Sequence, residues 1–147
     1  MEPELDMGSM VAEVVADLKA LGARDSVALR LERVRRSRIA GSRRGLSHAL
    51  GNVVRNAIEH SPHGRPVLVR VTAEGARAIV DVHDDGPGVS PPLRARVFEP
   101  FYSTRPGGDG LGLAVTAAVV TAHGGRIRFV AGDGCTVRIE LPRVDCS

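Results

Sequence analysis

Aromatic residues are nearly missing from this chain. It has no Trp, one Tyr and three Phe in 147 residues, so its core must be built from Val, Leu, Ile and Ala. Lysine is almost absent as well: Lys19 stands alone, and arginine carries the remaining positive charge. A formal charge of +3 raises the question of nucleic acid. The densest basic run, residues 33–44, has no aromatic side chains interleaved for base stacking; it reads as a solvated surface, and no nucleic-acid partner is expected. Cys135 and Cys146 have neither metal-ligand spacing nor the pattern of a disulfide framework, and Cys135 reads as a small core residue in a strand. The longest apolar run, 111–122, falls short of the ~20 residues a bilayer span needs. No secretory leader is visible at Met1. A soluble chain in a reducing cytoplasm is expected, monomeric in isolation. A Walker loop, GxxxxGK[ST], is absent, and the GDGLGL run at 108–113 lacks the spacing and the preceding strand of a dinucleotide fingerprint.

What is present centres on residues 81–125, DVHDDGPGVSPPLRARVFEPFYSTRPGGDGLGLAVTAAVVTAHGG. The stretch opens as a strand, turns on DDGPG, crosses FEPF, reaches GGDGLGL and continues into an apolar helix. Glycine lets backbone amides approach an anion with no side chain in the way. A helix starting at Gly110 or Leu111 would add unpaired N–H groups and its positive dipole end. Two such loops around one helix entry suit a phosphorylated ligand.

The remaining elements follow from periodicity. Residues 1–7 are acidic and expected to fray. Apolar residues at helical spacing predict a helix over 7–21, closed by Gly22. Alternation predicts strands over 26–31, 66–72 and 77–82, with 38–40 as a short partner strand and Glu74-Gly75 as a hairpin turn. Residues 91–97 read as a short helix or turn. A buried helix over 111–123 and strands over 126–130 and 135–141, joined at Gly132-Asp133-Gly134, complete the chain.

The helix expected over 44–60 carries two stripes. Leu46, Leu50, Val53 and Ala57 form its core face. His48, Asn52, Asn56 and His60 follow one another at steps of four, so they are neighbours along one side. Two asparagines four apart in a helix interior, where Asn is a poor former, call for a function.

Three motifs in order carry a resemblance. Asp84-Asp85-Gly86-Pro87-Gly88-Val89 resembles the first glycine box of the GHKL ATPase superfamily. Phe98-Glu99-Pro100-Phe101 resembles the F box of bacterial sensor histidine kinases, and Gly108-Asp109-Gly110-Leu111-Gly112-Leu113 their second glycine box. The segment LSHALGNVVRNAIEHSP at 46–62 resembles their N box. The resemblance covers about 26–142 and, more weakly, the first helix.

That resemblance implies a Bergerat-type two-layer α/β sandwich, a mixed sheet of about five strands with helices on one face. It implies residues 1–24 as a helix or linker remnant, 25–143 as an ATP-binding catalytic domain, and 144–147 as a tail. It also implies ATP and Mg²⁺ as cofactors. Asn56 would give its side-chain oxygen to Mg²⁺, with Asn52 a turn earlier near the phosphates and His60 as a phosphate contact. Asp84 would accept from the adenine amino group. Gly86, Gly88, Gly108, Gly110, Leu111 and Gly112 would cradle the nucleotide, and Thr136 of Gly134-Cys135-Thr136 would lie near adenine. Residues 102–109 would form a short lid, similar to that of the nitrogen-regulation and oxygen-sensing kinases; Arg105 within it is a phosphate contact or a solvated cation. Glu59 stands where many members have Lys, and Asp85 where Asn is usual.

None of His48, His60, His63, His83 and His123 has the setting of a phosphoacceptor. The chain is therefore expected to be the catalytic half of a sensor kinase, cut from a longer protein, such as the cytoplasmic part of a membrane-bound sensor, or working as a split kinase. Its partners would be a dimerisation and phosphoacceptor domain and a response regulator. Conformational ATPases of the superfamily and anti-sigma-factor serine kinases are the alternatives. Both carry Glu one turn before the Mg²⁺ asparagine, where this chain has Asn52, and the F box favours the sensor kinases.

Overall fold

The computed structural model describes residues 3–24, 26–62, 64–86 and 112–144. Helix α2, Arg43–His60, starts where Ser42 takes an extended conformation and accepts the Gly45 N–H on its Oγ at 3.0 Å. That bond satisfies one of the amides a helix start leaves open. Leu46, Leu50, Val53 and Ala57 are all buried, along with Val54 and Ile58, so the expected stripe is the packed face.

Five strands form one mixed sheet in the order β2-β4-β5-β7-β6: β2 (Leu29–Val34), β4 (Val67–Glu74), β5 (Arg77–Asp84), β6 (Arg126–Val130) and β7 (Cys135–Pro142). Among the described residues only the β2–β4 pair of this sheet is parallel, and the chain between them contains α2, the crossover a parallel pair requires. Side chains alternate between the faces of a strand. Val67, Val69, Val71, Val80 and Val82 are buried in the core cluster together with residues of α1 (Met7–Arg24) and α2. The opposite face is polar: Arg138 holds Asp81 through two bonds of 2.8 and 3.0 Å, and Arg126 reaches Glu140 at 2.8 Å. Helices on one face and ion pairs on the other make the two-layer α/β sandwich.

Two local features differ from the pattern-based expectation. Residues expected to fray instead form a strand, β1 (Glu4–Asp6), paired antiparallel with β3 (Arg38–Ala40). Pairing with a distant segment, which has no local signature, makes it a strand. Gly22 does not end the first helix, α1, which runs Met7–Arg24. A Cβ at Gly22 would stand 2.6 Å from the Val27 carbonyl oxygen, and Val27 N–H donates to Gly22 O at 2.8 Å; the glycine serves a close approach. Within residues 1–24, expected as a helix or linker remnant, α1 sends Met7, Met10, Val11, Val14 and Val15 into the same core as the sheet.

Helix α3, Gly112–Ala122, is apolar all round but not buried all round. Thr116 and Val120 are buried, whereas Val115 is 42 % exposed. Thr116 Oγ1 donates to the Ala49 carbonyl of α2 at 3.1 Å, so the buried side of α3 is the one laid against α2.

Candidate nucleotide site

Asp84 ends β5 and is 4 % exposed. Its Oδ1 accepts the Gly86 N–H at 2.8 Å, a local turn bond that fixes the carboxylate as the chain leaves the strand. Burial pushes the Asp84 carboxyl above its ordinary pKa; the Gly86 N–H and the nearby His60 and His83 rings oppose that shift without cancelling it. A buried carboxylate held through one oxygen has acceptor capacity left for a donor.

Gly86 joins this carboxylate to α2. A Cβ there would stand 2.5 Å from the His60 carbonyl oxygen and 2.6 Å from Asp84 Oδ1. The first glycine of the DDGPG turn therefore lies against the last residue of the asparagine helix. Asn52, Asn56 and His60 are all half-buried, while His48 and Glu59 are exposed. His60 Nδ1 lies 2.8 Å from the Asn56 carbonyl oxygen. A carbonyl only accepts, so Nδ1 carries the proton and Nε2 is the free end of the ring. Asn52 Oδ1 accepts from the Arg55 guanidinium at 3.0 Å.

The structure thus places His60, the end of the α2 stripe that carries Asn52 and Asn56, beside Gly86 and Asp84. It does not bring Thr136 to them. Asp84 is paired with Cys135, and Thr136 with His83. Directly opposed residues share a face, so Thr136 lies on the polar side of the sheet and Cys135 on the Asp84 side, half-buried against the core. One residue along a strand exchanges the faces, so these two neighbours stand on opposite sides of the sheet. Its neighbour Cys135 was read only as a core residue; its register opposite Asp84 was the available signal. Gly112 opens α3. Gly88, Arg105, Gly108, Gly110 and Leu111, with the F box and the lid, lie outside the described residues.

Among the described residues no cluster of three or more His, Cys, Asp or Glu side chains could hold a metal. No helix of the described residues is long and apolar enough to cross a membrane.

Comparison with known proteins places the chain in a family and its fold among solved structures. The family described as "Histidine kinase-, DNA gyrase B-, and HSP90-like ATPase" matches residues 41–145. The sensor-like histidine kinase SenX3 of Mycobacterium tuberculosis is 33% identical over 147 residues, covering 95% of this chain and 36% of that protein. The sensory histidine kinase/phosphatase NtrB of Escherichia coli O157:H7 is 36% identical over 102 residues, covering 62% of this chain and 29% of its own length. The chain thus spans about a third of the curated relatives it matches. Among solved structures, the mycobacterial sensor histidine kinase MprB superposes with a TM-score of 0.86 at 31% identity, covering 97% of this chain and 98% of that one. Full-length ShkA in complex with AMPPNP gives a TM-score of 0.85 at 27% identity, over 97% of this chain and 31% of that one.

Proposed function

The chain belongs to the histidine kinase-, DNA gyrase B-, and HSP90-like ATPase family, as a catalytic ATP-binding domain of the sensor histidine kinases, and from that premise we propose that it binds ATP with Mg²⁺ and presents the γ-phosphate to a histidine on a separate dimerisation domain. The observation that carries the proposal is Asp84. It is a buried carboxylate with one oxygen tied to Gly86, at the strand end where the asparagine helix also ends. Such an acceptor takes the amino group of adenine; guanine offers an oxygen at that ring position.

Phosphoryl transfer asks a protein for positioning and charge neutralisation more than for covalent chemistry. Asp84 fixes the base. Asn56 and Asn52, one turn apart on a packed helix, address the phosphates, with His60 at the helix end. Gly86, Gly88, Gly108, Gly110, Leu111 and Gly112 cradle the nucleotide with backbone amides, and Arg105 adds a positive charge. The nucleophile comes from the partner domain.

The residues fit the metal. Mg²⁺ takes oxygen ligands, few of them from protein and the others from phosphates and water, and Asn56 offers one half-buried amide oxygen. When bound, the ion would neutralise phosphate charge, and Asn56 would hold it. Asn52, where hydrolytic relatives have Glu, leaves water without a base, which favours transfer over hydrolysis. The partners proposed are a phosphoacceptor domain and a response regulator, in the cytoplasm.

Calorimetry with ATP, ADP and GTP, together with γ-labelled ATP, tests this. ATP and ADP should bind well and GTP poorly. The chain alone should gain no acid-labile label, whereas an added phosphoacceptor hairpin fragment should become labelled. Equal affinity for GTP would remove Asp84 from base recognition. Label on a histidine of this chain would overturn the proposed division of labour.

A further inference from the structure

The DDGPG turn places two carboxylates side by side, and only Asp84 faces the core side of the sheet. Asp85 is exposed, and its Oδ1 lies 3.1 Å from His83 Nε2. The other ring nitrogen, Nδ1, lies 2.7 Å from Thr136 Oγ1. Thr136 is the cross-strand partner of His83, so the imidazole is anchored to β7 on the polar face, away from Asp84. A Cβ at Gly134, at the head of β7, would strike the Asp84 carbonyl oxygen and stand 3.0 Å from His83 Cε1. The ring and the turn are thus packed against the β6–β7 hairpin with no spare room.

We propose that His83 is a positioning residue that draws the Asp85 carboxylate to the polar face of the sheet, so that the nucleotide site keeps a single carboxylate, Asp84. The inference rests on the nucleotide reading above. The chemistry holds with the ring neutral or protonated. A neutral ring with its proton on Nε2 donates to Asp85 and accepts the Thr136 hydroxyl proton on Nδ1. A protonated ring donates to both oxygens. In either state Asp85 has a fixed donor on the face opposite Asp84. Without it, a carboxylate one residue from the base-binding acid would be free to turn towards a ligand that carries a triphosphate. Like charges repel over several ångström at the surface of a protein, and the Asp85 charge already acts to raise the Asp84 pKa.

The test is a double-mutant cycle on the 147-residue chain, read as the dissociation constant of Mg²⁺·ATP by calorimetry, with thermal melting alongside. His83→Ala should weaken binding by about three- to tenfold, the range of one extra surface charge near a polyanion. In the Asp85→Asn background the same change should alter binding by less than about twofold, because no charge is left to steer. His83→Gln, which carries a donor and an acceptor in one side chain, should bind within about twofold of the wild type even if His83→Ala melts early. Equal losses in both backgrounds would make His83 a structural residue only and overturn the inference, as would an unchanged affinity in His83→Ala. A wild-type chain that binds no nucleotide would instead sink the functional reading itself.

Discussion

The main-chain N–H of Ser42 donates to Nε2 of His123 at 3.1 Å, across 81 positions of sequence. The other ring nitrogen, Nδ1, lies 2.8 Å from the Val119 carbonyl oxygen, which can only accept. His123 therefore accepts at Nε2 and donates from Nδ1, and fastens the start of α2 to the end of α3. One of these helices carries the asparagines and the other follows the second glycine box. His123→Ala should lower stability by ~0.5–1.5 kcal/mol, the net value of such a bond. Gly41→Ala should be worse, because a Cβ there would run into the His123 ring and Gly41 has a φ of +152. Chemical denaturation of the two variants measures both, and a harmless Gly41→Ala would refute the tight fit.

Asp84 should oppose stability and support binding at once. Its pKa is raised in the folded state, chiefly by burial, so the ionised form is disfavoured on folding. The resulting penalty is full well above the folded pKa and disappears as pH falls towards and below the unfolded value of about 3.9. Asp84→Asn should therefore melt higher than the wild type at pH 7, and the difference should shrink on acidification. The same variant should lose ~1–3 kcal/mol of ATP binding. Melting curves against pH and calorimetry check the two halves separately.

Asn56→Ala should separate metal-dependent from metal-free binding. The loss expected for Mg²⁺·ATP is about tenfold or more, from one charge-assisted contact. Metal-free ADP should bind nearly as before. Equal losses for both ligands would mean that Asn56 only supports the helix.

Asp6 makes the fold sensitive to acid at its N-terminal edge. Burial pushes its carboxyl up, but the hydrogen bonds from Ser9, Ser37 and Gly8 outweigh burial and leave it below the usual carboxylate range. A depressed acid contributes stability above its unfolded pKa and loses it as pH falls through the folded one. Wild type and Asp6→Ala should therefore differ most at neutral pH and converge below about pH 4. A gap that stays constant down to pH 2 would remove the carboxylate from the account.

Much of this structure was legible in the chain because its signals are local. The period of α2 follows from Leu46, Leu50, Val53 and Ala57. The alternation of β4, β5 and β7 sorts their valines to one face, and the glycine and asparagine motifs marked Asp84, Gly86 and the α2 stripe. What escaped was set by contacts distant in sequence. Glu4–Asp6 becomes a strand only through Arg38–Ala40. Gly22 was read as a helix stop when its use is an approach by Val27. Which of Thr136 and Cys135 stands on the Asp84 side depends on a register with β5 that no residue of β7 announces.

The short strand β3 holds both ends of the described chain. Gly41 N–H donates to Pro3 O at 2.9 Å, and Val144 N–H donates to Arg38 O at 2.8 Å. Tension applied between Pro3 and Val144 would therefore be borne first by three residues, Arg38–Ala40, and by the handful of main-chain bonds that grip them. Ser42, which caps α2, is two residues beyond β3, so the first mechanical yield point of the fold adjoins the root of the helix that carries Asn52 and Asn56.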